Sequence, residues 1–102
     1  MEDFKNLFRE NAERILSDFK RDFCFLKSEP DQLRMLKNIH RYAHSMKGLS
    51  AIMKLGDIYS ISERLEGALR EIINGSLDLN ENRLLEIENG FNRIEKLLRD
   101  AE

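Results

Sequence analysis

Apolar residues recur every three or four positions in four separate segments of this 102-residue chain. That spacing places them along one face of an α-helix, and no segment has the strict alternation of a half-buried β-strand. The sequence holds one Pro and five Gly, so little interrupts long helices. Four amphipathic helices joined by short loops pack as antiparallel neighbours. The chain is therefore predicted to be all-α, an antiparallel up-down four-helix bundle that forms a single domain over residues 1–102.

The predicted helix boundaries follow from residues that break or cap helices. The four helices are expected at residues 2–27, 31–53, 58–74 and 81–100. Pro30 disfavours helix at the residue before it and, lacking an N–H, can open the second helix. Gly56 is expected to end the second helix, and Asp57 to cap the third. The later boundaries are assigned to Asn74 and Gly75 at the end of the third helix, and to Asp78 or Asn80 as the cap of the fourth.

Several single residues are assigned to the interior of the bundle. Four phenylalanines of the first helix are predicted to lie in the core, at Phe4, Phe8, Phe19 and Phe23. The one cysteine, Cys24, has no partner for an internal disulfide and is predicted to be a core thiol. Gly67 and Gly90 lie inside helices and are predicted to be sites of close helix packing.

The charge balance excludes some classes of function. The chain has 17 Lys and Arg against 19 Asp and Glu, a formal net charge of −2. Non-specific nucleic-acid binding needs a clear basic excess, so no nucleic-acid partner is expected. The sequence has neither an apolar run of about 18 residues nor a signal-peptide pattern, which indicates no membrane association and a cytoplasmic location.

His44 lies one position off the apolar stripe of the second helix, beside the core. Its neighbours on the same helical face, three, four or seven positions away, are Lys37, His40, Arg41, Lys47, Gly48 and Ala51. Three of them are cationic and would stabilise negative charge, while Gly48 and Ala51 leave room for a partner. A phosphoryl group, with three oxygens and roughly two negative charges, fits such a face. Neutral imidazole is a competent nucleophile near pH 7, because its unperturbed pKa is about 6.5.

A carboxylate on the third helix is predicted to face His44. In an antiparallel pair, residues equidistant from a tight turn lie at the same level, and positions 44 and 66 are equidistant from position 55. Glu66 is therefore placed to hydrogen-bond one ring nitrogen of His44, which would leave the other nitrogen free to react. Glu63 lies about one turn nearer the loop.

The segment 44–48, HSMKG, resembles the H-x-x-K-G motif of histidine phosphotransfer (Hpt) domains. Glu66 follows the histidine by 22 positions and Pro30 precedes it by 14. In these features, and in its four long helices, the chain is most similar to the N-terminal phosphotransfer domain of CheA-type chemotaxis histidine kinases. The resemblance covers nearly the whole chain.

That resemblance implies a role for each matching residue. His44 would be the phosphorylated residue, reacting through Nε2. Glu66 would hold Nδ1 by a hydrogen bond, and Lys47 would stabilise the phosphoryl group. Partner-docking residues are expected on the same face, at Lys37, Arg41, Gly48 and Ala51.

The resemblance also implies partners. A kinase ATP-binding domain would supply the phosphoryl group, and the aspartate of a response-regulator receiver domain would take it, in chemotaxis signalling. ATP and Mg²⁺ would bind the partner kinase domain, and this chain is expected to have no ATP site, cofactor or metal of its own. It would be a phosphocarrier, and part of a histidine protein kinase only if the native chain continues into a full CheA protein. The alternatives are a stand-alone Hpt phosphorelay protein and a non-phosphorylated helical interaction module.

Four residues depart from the usual family pattern. Lys54 and Leu55 stand where Gly–Phe is common, and Glu63 stands where a second histidine or another polar residue is common. His40 replaces a bulky apolar residue and is expected to pack or to tune the local field rather than to react. His40 and His44, with a carboxylate of the third helix, could suggest a metal site. Bundle metal sites repeat a Glu-x-x-His motif on two helices, and the sequence has no such repeat.

Overall fold

The computed structural model describes residues 2–28 and 32–100, and in those ranges the chain forms four α-helices and no β-strand. The helices are α1 (Glu2–Ser28), α2 (Gln32–Ile52), α3 (Gly56–Ile73) and α4 (Glu81–Asp100). Each helix packs against the next one along the chain, and α1 also contacts α4. Short connections and this order of contacts form an antiparallel up-down bundle, so the predicted all-α fold is confirmed. No helix within the described ranges is long and apolar enough to span a membrane.

The apolar stripes of the four helices meet in one core. Its fully buried members include Leu26, Ile39, Leu69 and Phe91. The rings of Phe19 and Phe91 stack with their centroids 3.9 Å apart, which joins α1 to α4. Burying one such side chain contributes about 1.5–3 kcal/mol relative to leaving it exposed. The core therefore sets the rotation of each helix, and with it the direction in which the polar faces point.

Three residues that were predicted to lie in the core do not lie fully within it. Phe4 is 49% exposed and Phe8 is half-buried, whereas Phe19 and Phe23 are buried as predicted. The cause is length: α1 has 27 residues and α2 has 21, so the first turn of α1 extends past the end of its neighbour. Cys24 is exposed, because it follows the buried Phe23 by 100° around the helix and turns away from the core.

The turn between α2 and α3 also differs from the prediction. α3 begins at Gly56, and the left-handed backbone conformation falls on Lys54, whose φ is 58°. Gly56 therefore does not end α2, and Asp57 does not cap α3; the cap position is Leu55, which makes no side-chain cap hydrogen bond. The Leu55 side chain packs against the core. Glycine at position 54 would adopt this positive φ freely, whereas Leu55 already supplies an apolar side chain that packs inwards.

The other boundaries follow the prediction where the structure describes them. Asn74 caps the end of α3, and Gly75 has a φ of 87°. Asn80, rather than Asp78, caps α4: its Oδ1 accepts the backbone N–H three residues later at 2.9 Å. The role predicted for Pro30 falls outside the described ranges.

The two glycines in α3 and α4 differ in their packing. A Cβ on Gly90 would lie 2.7 Å from Cδ2 of Leu65, so Gly90 allows the close α3–α4 contact that was predicted. A Cβ on Gly67 would meet nothing within 4 Å, so the prediction of close packing at Gly67 is wrong.

Candidate functional site

The α2–α3 pair carries a cluster of polar side chains at one level of the bundle. Ala43 and Met46 of α2 are completely buried, which leaves His44 and Lys47 at the edge of the apolar seam. On α3, Glu66 follows the buried Leu65 and is itself only 3% exposed. The packing of the two seams therefore turns Glu66 toward the edge of α2 on which His44 lies.

Glu66 joins His44 and Lys47 through its two carboxylate oxygens. Oε2 contacts Nδ1 of His44 at hydrogen-bonding distance, and Oε1 accepts a hydrogen bond from Nζ of Lys47 at 2.6 Å. The Glu66 side chain is 5% exposed, whereas that of His44 is 66% exposed. A buried carboxylate thus holds an exposed imidazole by one of its two nitrogens.

The charge of Glu66 determines the tautomer of His44. Burial raises the pKa of Glu66, but hydrogen bonds from Lys47 and His44 outweigh it and leave that pKa below its ordinary value. The hydrogen bond to Glu66 likewise raises the pKa of Lys47, although burial lowers it. Glu66 is therefore an anion at neutral pH, and an anionic carboxylate only accepts hydrogen bonds. The shared proton consequently belongs to Nδ1 of His44, and Nε2 of the neutral ring keeps its lone pair.

The four residues expected to dock partners lie on the outer face of α2. All of them are exposed: Lys37, Arg41, Gly48 and Ala51. Arg41 donates a hydrogen bond from Nη2 to Oδ1 of Asn38 at 3.2 Å. A Cβ on Gly48 would meet nothing within 4 Å, so no packing inside the bundle requires a glycine there.

Glu63 does not join the hydrogen bonds around His44. It is exposed, and its Oε2 lies 3.5 Å from the hydroxyl of Tyr59 on the same helix. The structure therefore brings His44, Lys47 and Glu66 together and leaves Glu63 at the margin.

Two neighbours of this cluster were not assigned to the site from the sequence. Nη2 of Arg70 lies 3.9 Å from Oε1 of Glu66, one helical turn away, and the i, i+4 spacing could have indicated it. His40 is half-buried, and its Nε2 is inaccessible and has no hydrogen-bond partner. Burial lowers the pKa of His40. From the sequence, His40 was expected to pack or to tune the local field rather than to react, and the structure places it half-buried.

The described part of the chain brings no three His, Cys, Asp or Glu side chains together in a way that could hold a metal ion.

Known proteins share this fold and part of this sequence. The chain is 28% identical over 79 residues to the chemotaxis protein CheA of Bacillus subtilis (strain 168), and it spans 12% of that relative's length, with 78% of this chain covered. A CheA phosphotransferase domain from Thermotoga maritima has a TM-score of 0.87 at 18% identity, covering 94% of this chain and 91% of that one. A computationally redesigned four-helix bundle has a TM-score of 0.90 at 13% identity, covering 99% of this chain and 98% of that one. At these identities the two structures show the fold alone.

The family model of the Hpt domain matches residues 3–99. That range contains His44, Lys47 and Glu66 and covers nearly the whole chain. The chain therefore belongs to the Hpt domain family, and it is similar to CheA proteins in sequence and in fold.

Proposed function

We propose that this domain accepts a phosphoryl group on Nε2 of His44 from the ATP-binding domain of a CheA-type histidine kinase. It then passes the group to the aspartate of a receiver domain in chemotaxis signalling. The observation that carries the proposal is the contact between Nδ1 of His44 and the buried carboxylate of Glu66. That contact presents an exposed imidazole whose Nε2 lone pair is available to react.

The first transfer forms an N–P bond and breaks a P–O bond. The lone pair on Nε2 attacks the γ-phosphorus of ATP, the bond from that phosphorus to the bridging oxygen breaks, and ADP leaves. The imidazole gains positive charge as the N–P bond forms, and the carboxylate of Glu66 stabilises that charge through the Nδ1–H. In the second transfer a carboxylate oxygen of the receiver aspartate attacks the phosphorus, and the electron pair of the N–P bond returns to Nε2. ATP and Mg²⁺ belong to the partner kinase domain in this scheme.

Lys47 is proposed to stabilise the phosphoryl oxygens. Its ammonium group hydrogen-bonds the buried Glu66, and its side chain is 25% exposed, so it lies between the carboxylate and the solvent. An ammonium group on a flexible four-carbon stem can reach an adjacent anion. A cation beside a group of roughly two negative charges stabilises it.

The outer face of α2 is proposed as the surface that both partners approach. Gly48 and Ala51 are exposed and small, and Gly48 has no packing reason within the bundle. A partner can therefore come close to the imidazole without displacing a large side chain. The exposed cations Lys37 and Arg41 extend the same face and favour an acidic partner surface.

The fold by itself supports none of these steps, because a computationally redesigned four-helix bundle shares it. The site supports them, because a buried carboxylate is costly unless it is paired, and here its partners are a lysine and an exposed histidine. A bundle that served only for interaction would have no use for this arrangement. A stand-alone relay protein would use the same chemistry at His44 with a different phosphoryl donor.

A trans-phosphorylation assay tests the proposal. The domain is mixed with radiolabelled ATP, Mg²⁺ and the kinase core of a CheA protein that lacks its own phosphotransfer domain. We expect acid-labile, base-stable label on the wild-type chain, no label on His44→Gln, and transfer of the label to an added receiver domain. Label on His44→Gln would refute the assignment of His44. No label on the wild type, with a kinase core that phosphorylates its own domain, would favour the interaction module.

A further inference from the structure

Two cations, Lys47 and Arg70, approach the same oxygen of Glu66 from opposite directions. Nζ of Lys47 lies 2.6 Å from Oε1, whereas Nη2 of Arg70 lies 3.9 Å from it, which is beyond hydrogen-bonding distance. Along α2, Lys47 lies about one turn nearer the α2–α3 connection than His44 does. Along α3, Arg70 lies about one turn farther from that connection than Glu66 does. Each cation therefore reaches Oε1 from its own side.

The guanidinium group of Arg70 has no other partner and has room to move. Its side chain is 63% exposed, and within residues 2–28 and 32–100 it makes no hydrogen bond to another side chain. A movement of about 1 Å toward Oε1 would form a charge-assisted hydrogen bond, in which donor and acceptor lie about 2.7–2.9 Å apart. Arg70 is therefore a second partner for Glu66, at the i, i+4 spacing at which helical side chains meet.

Glu66 depends on a cation at Oε1. Its side chain is only 5% exposed, and a buried charge that loses its partner is strongly destabilising. A phosphoryl group on His44 would carry roughly two negative charges, so it would attract the ammonium group of Lys47 more strongly than the single charge of Glu66 does. Lys47 alone would then have to serve two anions, one of which is buried.

We propose that Arg70 replaces Lys47 on Oε1 of Glu66 when Lys47 turns to the phosphoryl group on His44. Arg70 is a positioning residue: it keeps Glu66 paired and in contact with Nδ1 of His44 while Lys47 binds the phosphoryl oxygens. The movement of Lys47 rests on the proposed function. The exchange of partners at Oε1 does not, because removing the Lys47 ammonium group by mutation should bring Arg70 to the same oxygen.

The first experiment removes the Lys47 ammonium group without any phosphoryl group. A crystal structure of Lys47→Met at neutral pH should show a guanidinium nitrogen of Arg70 about 2.9 Å from Oε1 of Glu66, instead of the present 3.9 Å. An Arg70 side chain that stays at its present distance would overturn the proposal. A Lys47→Met protein that does not fold would overturn it too, because Arg70 would then have failed to pair the buried carboxylate.

Denaturant titrations of the wild type, Lys47→Met, Arg70→Met and the double variant give an independent test. In the wild type, Arg70→Met should change the free energy of unfolding little, because Lys47 holds Oε1. In the Lys47→Met background the same substitution should lower it markedly or abolish folding, because Glu66 then has no cation at Oε1. Equal losses in the two backgrounds would show that the sites act independently and would overturn the proposal.

Phosphorylation by the kinase core tests the step that rests on the proposed function. We expect kcat for Arg70→Met to fall by about tenfold with KM for the domain unchanged, because Arg70 acts on the transfer step and not on docking. Arg70→Lys should recover most of the rate, since it keeps a cation at this position. Arg64→Met removes another exposed arginine of α3 and should react like the wild type. An unchanged kcat for Arg70→Met, or a change in KM alone, would overturn the proposal.

These experiments separate this inference from the proposed function. If the wild type is never phosphorylated, the proposed function fails, while the crystal structure and the titrations still decide whether Arg70 pairs with Glu66. If the wild type is phosphorylated and Arg70→Met reacts as fast, this inference fails and the proposed function of His44 stands.

Discussion

The buried carboxylate of Glu66 lies against Nδ1 of His44 across the α2–α3 interface, so the exposed ring is held by the nitrogen that faces the protein. The other oxygen of Glu66 binds Lys47. This contact fixes the orientation of the ring and its tautomer, and it leaves Nε2 free to react with a group that arrives from solvent. In this account, phosphorylation depends on a residue that no partner needs to touch.

Replacing Glu66 by Gln should slow phosphorylation of His44. Gln can accept only a neutral hydrogen bond from Nδ1 and cannot stabilise the positive charge that develops on the ring. We expect the initial rate to fall by about 10–100-fold, with helix content unchanged in circular dichroism. Glu63→Gln, an exposed carboxylate one turn away, is the matched control and should react like the wild type. Equal rates for the two variants would remove Glu66 from the mechanism.

Two glycine variants separate helix stability from partner access. Gly48→Ala and Gly67→Ala each add a methyl group to a helix where nothing lies within 4 Å. Each should raise the free energy of unfolding by about 0.5–1 kcal/mol, because alanine is the better helix former. Denaturant titrations measure this gain, and the kinase assay measures access. Only Gly48→Ala should slow phosphotransfer, since only that methyl group lies beside His44 on the outer face of α2. If Gly48→Ala and Gly67→Ala transfer the phosphoryl group at the same rate, the role proposed for Gly48 is contradicted.

The turn at Lys54 should become more stable with glycine. Lys54 has a φ of 58°, a left-handed conformation that costs a residue with a Cβ about 1–2 kcal/mol. Glycine avoids that cost but loses more conformational entropy on folding, so the expected net gain for Lys54→Gly is about 1 kcal/mol in a denaturant titration. Lys54→Ala removes the charge and keeps the Cβ, so it should show no comparable gain. Equal stability of the two variants would mean that the backbone at position 54 is not strained.

Alkaline pH should weaken the contact between α1 and α2. The Tyr42 hydroxyl donates a hydrogen bond to Oδ2 of Asp22 at 2.5 Å, and both side chains are buried. Burial raises the pKa of Tyr42, and the hydrogen bond to Asp22 and the charge of that carboxylate raise it further. The folded state therefore favours the neutral phenol, so this contribution is complete below the ordinary pKa of 10.0 and is lost as the pH rises through the folded value.

Tyr42→Phe tests that contact at neutral pH. It removes the hydroxyl and leaves the buried Asp22 with Arg21, whose Nε donates to Oδ1 at 3.2 Å. We expect a loss of about 1–3 kcal/mol in the free energy of unfolding, and a weaker fall in stability above pH 10 than in the wild type. Tyr59→Phe is the control, because the Tyr59 hydroxyl makes only a long contact of 3.5 Å with an exposed carboxylate. This variant should lose far less free energy of unfolding. A Tyr42→Phe protein as stable as Tyr59→Phe would show that the buried hydrogen bond contributes nothing.

The opposition of His44 and Glu66 could be predicted because it depends on chain geometry alone. Equal separation from a tight turn places two residues at one level of an antiparallel pair, and the buried seams of α2 and α3 set the side of each helix. The observed turn, residues 53–55, is shorter than the predicted one and its centre lies about one residue earlier in the chain, a shift smaller than one helical turn. Although Gly56 was wrongly predicted to end α2, the prediction that His44 and Glu66 face each other is therefore unaffected.

Other features depend on three-dimensional packing, which the spacing of residues in the sequence does not determine. Lys54 has a positive φ and the next residue, Leu55, packs on the core, whereas backbone preference alone assigns such a conformation to glycine. The exposure of Phe4 depends on the length of a neighbouring helix. The shielding of Nε2 in His40 depends on side-chain rotamers and on the exact fit of α3 against α2, which periodicity does not specify.

The position of the phosphoryl group on the ring shows which nitrogen of His44 reacts. The ¹⁵N-labelled domain is phosphorylated by the kinase core, and the ring nitrogens of His44 are assigned by NMR through their coupling to phosphorus. We predict a phosphoryl group on Nε2 and a proton on Nδ1 that is hydrogen-bonded to Glu66. A phosphoryl group on Nδ1, or on any residue other than His44, would contradict it.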